Sequence, residues 1–440
     1  MNQGLNMSIV VKLDKLSNEK RDKISNDLDI ELLNESKYAA MAPPERIVAF
    51  ELIEDRVYLP FAYASRELKM SRPSRDSYPV MNVNFEGELR DEQQIVKKET
   101  IAKLSKTGSV IISAYCGFGK SILAINLACS IKLKTMIIVN KLVLIEQWTE
   151  EILQFCPTAR VVKMTAKSKW VDADFYIMNA INIEKKGREF FKEIGFVIGD
   201  EAHLLVAKTS SRCFRYLYPR YIIGMSATPY RTDGLGVLLD LYFGTDKITR
   251  ILHRDHLAYK VYTGFSPKME KTEQGMLNWT MVLDSQARDD KRNELIVKIV
   301  KFFDKRTFLI LTKFVCQGEY LLAKFEEEGI SVTSLIGKNQ VYDKTARVLV
   351  GTGQKVGTGF NHPKLDTLLL AADLESYYQQ YLGRCMRKPD IDPVIFDLVD
   401  KGSSLLKHFK TRAEVYKAHG GTIRNFNISM LDSVQIGKSE

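Results

Sequence analysis

Cysteine and histidine are scarce, six of each in 440 residues, and their placement argues against two kinds of chemistry. The cysteines, at positions 116, 129, 156, 213, 316 and 385, form no CxxC pair and join no His/Cys cluster. Neither a structural zinc site nor a disulfide framework is expected, and free thiols suit a reducing compartment. Long apolar runs are missing as well. No uncharged stretch reaches the roughly 18 residues that a membrane-spanning helix needs. The opening MNQGLNMSIVVKLDKL mixes charge into its short apolar segment instead of presenting a secretory pattern. The expectation is a soluble intracellular protein without a membrane partner. No nuclease or zinc module is recognisable, so backbone cleavage is not implied.

What the chain does have is length, positive charge and a regular alternation of elements. Its 440 residues exceed one ordinary hydrophobic core and point to two or three domains. Lys and Arg number 64 against 54 Asp and Glu, a formal charge of +10 that favours a polyanionic partner. Residues 1–84 are the least regular: IVAFELI and VYLPFAY alternate apolar positions, and SRPSRDSYP reads as a connector. They make either a small α/β or mostly β accessory domain, or an irregular extension packed on its neighbour. From residue 85 to 232 apolar strands (SVIISAY, TMIIVN, ADFYIMNA, FVIGDEAH, YIIGMSATP) alternate with amphipathic helices. Residues 233–290 break that rhythm as a connecting segment. It resumes over 291–400 with TFLILT, ISVTSLIG, ARVLVGTG and DTLLLA, and 401–440 read as a C-terminal extension. Strands separated by helices indicate largely parallel sheets covered on both faces, an α/β fold whose ligands sit beyond the strand C-termini.

AYCGFGKS, Ala114 to Ser121, stands between such a strand and a helix. Gly117 and Gly119 let the chain turn tightly and aim backbone N–H groups at phosphate oxygens. Lys120 places a mobile positive charge near the β and γ phosphates, and Ser121 is a Mg²⁺ ligand at the positive end of the following helix. Ala114 departs from the Gly that opens the strict pattern, a small-for-small change. Asp200 and Glu201, after the strand FVIG, supply the complementary half: Asp200 holds Mg²⁺ and Glu201 polarises or deprotonates the attacking water. His203, two residues on, is placed to sense hydrolysis by contacting Ser226 to Thr228 at another strand end. The cofactors expected are therefore ATP and Mg²⁺.

With Asp-Glu-Ala-His at 200–203, the chain resembles superfamily two helicases of the DEAH type over roughly residues 85–400. That resemblance implies two tandem RecA-like P-loop domains with parallel sheets, plus the small N-terminal region. It makes Gln93, in LRDEQ, an adenine contact with Arg90 beside it. In GTGQKVGTGFN, Gly357 and Gly359 would couple nucleotide to nucleic acid, with Asn361 replacing the commoner Asp. In QYLGRCMR, Gln380, Arg384 and Arg387 match the family's Gln-x-x-Gly-Arg-x-x-Arg motif, the arginines neutralising charge that develops on the γ phosphate.

The closer resemblance is to helicases of large nucleocytoplasmic DNA viruses, including the poxvirus transcript-release helicase. It rests on LYFGTDKITRILHRDHLAYKVYTGF, LNWTMVLDSQARDDKRN and the spacing of TFLILTKFVCQGEYL before VGTGQKVGTGF. DNA is the partner this implies, with RNA as the alternative and an RNA polymerase or transcription complex as a further partner. A viral origin would leave host cytoplasm, nucleus and virion undistinguished. Candidate nucleic-acid contacts are Asn140, Lys141 and Arg231 in the first domain and Thr312 and Lys313 in the second. The function expected is an ATP-dependent helicase or translocase, the alternative being an ATP-dependent clamp or scaffold without processive unwinding.

Overall fold

A computed structural model describes residues 10–31, 46–228, 235–273, 275–339, 341–356, 362, 364–374, 378–386 and 390–433. The chain divides into two compact units: 1–114 with 118–250, and 251–440 with 115–117. Each is built on one seven-stranded sheet in which every pairing is parallel.

The first unit opens with short strands β1 (Val10–Lys12), β2 (Asp29–Glu31), β3 (Arg46–Val48), β4 (Glu51–Ile53) and β5 (Arg56–Tyr58) and helices α1 (Asn18–Leu28) and α2 (Phe61–Glu67). These strands form a three-stranded and a two-stranded sheet. Leu28, Tyr63 and Ala64 nevertheless share one apolar cluster with Phe214, Tyr242 and Phe243. The accessory region has secondary structure of its own but no core of its own.

The main sheet then follows as β6 (Ser109–Ala114), β7 (Thr135–Val139), β8 (Val161–Met164), β9 (Phe175–Asn179), β10 (Phe196–Asp200), β11 (Tyr221–Ser226) and β12 (Lys247–Arg250). Their order is β12-β6-β11-β10-β7-β9-β8. The helices are α3 (Asp91–Thr107), α4 (Lys120–Ile131), α5 (Val143–Phe155), α6 (Ala180–Ile183), α7 (Ala202–Leu205) and α8 (Val237–Phe243). All six residues of β6 and all five of β7 are buried, as helices on both faces require. The phosphate loop, the Asp-Glu pair and the Ser-Ala-Thr segment leave the C-terminal ends of β6, β10 and β11, which are neighbours. Register pairs Ser113 with Ser226 and Asp200 with Met225, so the three ends are level.

The second sheet comprises β13 (His256–Tyr262), β14 (Phe308–Thr312), β15 (Val332–Leu335), β16 (Val348–Thr352), β17 (Thr367–Leu370), β18 (Val394–Val399) and β19 (Gly421–Asn425), ordered β15-β16-β14-β17-β18-β13-β19. Its helices are α9 (Trp279–Arg288), α10 (Asp290–Phe302), α11 (Val315–Glu327), α12 (Gly353–Val356), α13 (Tyr378–Cys385) and α14 (Ser403–Ala418).

Two expected boundaries are corrected. Residues 233–290 are not a separate connector: β12 extends the first sheet beside β6, and β13 lies inside the second between β18 and β19. Helix α8 is locked onto the first sheet by a glycine pair. Gly199 and Gly224 are register partners, and a Cβ at either would come within 2.8 Å or 2.9 Å of the Phe243 ring. Residues 401–425 are likewise no appendage, because α14 leads into β19 of the second sheet. The sequence hides both joins because β12 and β19 are edge strands. KITR and GTIRN keep polar, partly exposed residues and show no apolar run.

Candidate active site

The phosphate loop links β6 to α4 through two left-handed glycines, Gly117 at φ +92° and Gly119 at φ +80°. Gly119 also has no room for a side chain, since a Cβ there would sit 2.5 Å from Gln93 Nε2. Gln93, 3% exposed, explains the crowding. Its Nε2 donates to the carbonyls of Phe118 at 2.9 Å and Gly119 at 3.2 Å, while its Oε1 accepts the Arg90 N–H at 2.9 Å. Arg90 also donates to the Phe118 carbonyl. The Gln93 amide thus braces the loop, and an adenine that needs its N–H groups would have to exchange one of these bonds.

Lys120 folds back over the loop, its Nζ donating to the Ala114 carbonyl at 2.8 Å. Ser121 follows at the start of α4. Asp200 ends β10 with Oδ1 accepting the Glu201 N–H at 3.0 Å and Oδ2 accepting Trp148 Nε1–H at 2.9 Å. Burial, then the neighbouring Glu201 charge, pushes the Asp200 carboxyl up to about 6, against the pull of Trp148 and Lys120. Burial likewise raises the Glu151 carboxyl, and Ser121 pulls the other way. Glu151 Oε2 is buried with no hydrogen-bond partner among the described residues. A Mg²⁺–nucleotide fits this donor set. Ser121 and Asp200 would hold the ion, and Lys120 and the α4 N-terminus would take the phosphates.

Glu201 stands at φ +49°, a left-handed conformation that few non-glycine residues adopt. His203, 1% exposed, puts Nδ1 2.7 Å from Ser226 Oγ and 3.6 Å from Glu201 Oε2. Ser226 Oγ also accepts the Thr228 N–H at 2.9 Å. Ser226 and Thr228 are both fully buried, so the turn after β10 and the end of β11 form one hydrogen-bonded unit.

Other expected residues are less engaged. Asn140 and Lys141 follow β7 as anticipated and are half-buried, with Asn140 Oδ1 left without a hydrogen-bond partner among the described residues. Thr312 is only 1% exposed, so of the pair after β14 it is Lys313 that faces solvent. In the second unit Arg384 lies on α13, 8% exposed, and Gln380 is on the same helix. Arg231, Gly357, Gly359, Asn361 and Arg387 lie outside the described residues. Sequence reasoning missed Trp148, which donates to Asp200, and Glu151 one turn later, with its buried Oε2. Their signal was the three-residue spacing that puts them on one face of α5.

Residues 86–231 match the family described as ResIII, "Type III restriction enzyme, res subunit". The chain is 43% identical over 436 residues to "Putative helicase 161L" of Invertebrate iridescent virus 6, spanning 92% of this chain and 98% of that protein. With "Putative helicase 055L" of Frog virus 3 (isolate Goorha) it shares 29% identity over 378 residues, 84% of this chain and 86% of that one. Among solved structures, S. cerevisiae Dbp5 bound to RNA and ADP BeF3 aligns with a TM-score of 0.55 at 13% identity, over 77% of this chain and 91% of that chain. That likeness is one of fold, and it matches tandem RecA-like domains. Identity sustained along nearly the whole of both chains places this protein in the viral helicase family that includes the iridescent-virus protein 161L.

Proposed function

We propose that this chain is a DEAH-type, Mg²⁺- and ATP-dependent helicase or translocase that acts on DNA or on a transcription complex, as the poxvirus transcript-release helicase it resembles would. The observation that carries the reading is the level meeting of three strand ends: the phosphate loop after β6, Asp200 and Glu201 after β10, and Ser226 to Thr228 after β11. Lys120 binds the phosphates, Ser121 and Asp200 hold Mg²⁺, and Glu201 activates water. The ion supplies charge neutralisation on the β and γ oxygens. Arg384 and Arg387 add positive charge to the γ phosphate in the transition state. His203, Ser226, Thr228, Gly357, Gly359 and Gln380 pass nucleotide state to the nucleic-acid grip, for which Asn140, Lys141, Arg231 and Lys313 are the candidates.

The net charge of +10 supports backbone-directed, salt-sensitive binding. DNA is favoured by the motif resemblance alone, whereas the solved relative carries RNA and viral relatives include proteins named "Putative ATP-dependent RNA helicase". The test is ATPase activity of the full chain with matched single-stranded DNA, duplex DNA, RNA and hybrid. Stimulation strongest with DNA is expected, together with ATP-dependent displacement of a triplex strand. Equal turnover with and without every nucleic acid would overturn the motor reading. Stimulation without displacement would make the protein a clamp.

A further inference from the structure

The proposed metal ligand Asp200 is held by a helix that no expected motif includes. Trp148, 2% exposed on α5, donates from Nε1 to Asp200 Oδ2 at 2.9 Å. One turn later on the same face stands Glu151, whose Oε2 is buried without a hydrogen-bond partner among the described residues.

The hydrogen-bond chemistry suits a metal. Asp200, fixed by Trp148 on one oxygen and the Glu201 N–H on the other, keeps its remaining lone pairs for the ion or its water. Glu151 Oε2 is a buried acceptor with no partner among the described residues, and a water on the ion is a donor of the kind it requires. We propose that Trp148 and Glu151 are positioning residues for nucleotide-bound Mg²⁺, Trp148 acting through Asp200 and Glu151 through its buried Oε2, which has no partner among the described residues and would accept from a water on the ion. Because α5 begins at Val143, directly beyond Asn140 and Lys141, the same helix links the metal to the candidate nucleic-acid contacts of this unit.

The inference rests on the nucleotide-site reading, and the experiment separates the two. ADP affinity of the full chain is measured by calorimetry across a Mg²⁺ series and in EDTA, for the parent, Glu151→Ala, Glu151→Gln, Trp148→Phe and Lys120→Ala. Glu151→Ala and Trp148→Phe should raise the Mg²⁺ concentration for half-maximal enhancement by about tenfold or more, the usual cost of losing a residue that orients a ligand. Their ADP affinity in EDTA should match the parent, and Glu151→Gln, which keeps an acceptor, should fall between. A merely structural role would weaken ADP binding equally with and without Mg²⁺, and that result overturns the proposal.

A second readout needs no change at these positions. The chain has three tryptophans, so Trp170→Phe with Trp279→Phe leaves Trp148 as the sole emitter. Its emission should change on adding ADP with Mg²⁺ more than on adding ADP in EDTA. An identical response in both would count against the proposal even if the α5 variants fail to fold. Parental ADP affinity in Lys120→Ala would instead sink the nucleotide-site reading itself. Lost binding there with unaltered Mg²⁺ dependence in the α5 variants would sink only the inference.

Discussion

His203 Nδ1 and Ser226 Oγ stand 2.7 Å apart, both side chains buried, so the turn that carries Glu201 is fastened to the end of a neighbouring strand. Such a contact makes His203 the proposed coupling point between the turn and the second segment, a role that a measured coupling establishes. His203→Ala should retain Mg²⁺–ADP affinity but lose about tenfold of the stimulation of ATPase by nucleic acid, within the usual range of coupling energies. Steady-state turnover with and without saturating nucleic acid measures it. Full stimulation in the variant would remove His203 from the coupling path.

Glu201 has the geometry of a residue kept for chemistry, since its left-handed backbone at φ +49° is costly for a non-glycine. Glu201→Gln preserves size and hydrogen-bonding capacity but removes the proposed base. ATP affinity should stay within a few-fold, while single-turnover hydrolysis falls by about 10² to 10⁴, the span typical of a lost general base. Rapid-quench measurement of the first turnover tests this, and parental rates would reassign the role.

Asp200 makes the metal-free site sensitive to pH. Its carboxyl is raised from 3.8 to about 6, first by burial and then by Glu201. Between those values the folded state holds a proton that the unfolded state has released, so this group's contribution to stability falls as pH rises through the window. Asp200→Asn cannot titrate. In EDTA its stability relative to the parent should therefore climb between about pH 4 and pH 6 and level off above, by roughly 1–3 kcal/mol in total. Comparing pH profiles isolates the titration from the fixed cost of the hydrogen bond that asparagine cannot accept. Parallel melting curves across that range would contradict the prediction.

Gln93 is the point where motif and structure pull apart. Its amide donates to Phe118 and Gly119 and accepts from Arg90, which leaves a base only the second lone pair of Oε1. Gln93→Ala should weaken ATP and GTP by the same factor, about tenfold, the equivalent of one or two lost hydrogen bonds. Competition binding of the two nucleotides decides: a loss confined to ATP would restore the role of adenine reader.

How much of this was legible in the sequence depends on how local each signal is. β6, β7, β10, β11 and β14 are largely apolar runs ending in or just before a polar or glycine-bearing turn, at Ala114, Val139, Asp200, Ser226 and Thr312, and a doubly covered parallel sheet demands the apolar pattern. Their C-terminal residues therefore carried the site with them. KITR and GTIRN lie at sheet edges, where one flank is solvent, and resemble loops. VIFDLV, which becomes β18, has the right pattern but was overlooked because no motif follows it. Trp148 and Glu151 could not be singled out from α5 alone. Their meaning comes from Asp200, which is 52 residues from Trp148 in the chain and meets it only through the β10–β7 pairing.

The same non-locality governs the second unit, where α14 is held by buried charge. Arg412 donates to Asp397 from Nε and Nη2, both at 2.8 Å, and from Nη1 to Asp373 at 2.6 Å and the Leu374 carbonyl at 2.8 Å. Tyr416 adds a 2.8 Å bond to Asp397, and His408 contacts Asp373. Burial opposes the Arg412 charge, but Asp397 and then Asp373 more than offset it and hold the guanidinium above its ordinary value. Removing the cation leaves two carboxylates buried without their partner, which costs about 3–5 kcal/mol. Arg412→Met should therefore lower the urea midpoint of this unit. The transition can be followed by Trp279, whose ring stacks on His408 of α14 at 4.7 Å. Adding Asp397→Asn should recover part of the loss, because the unpaired charge and not the missing packing is the main penalty. Simple additivity of the two substitutions would show that the network contributes packing alone.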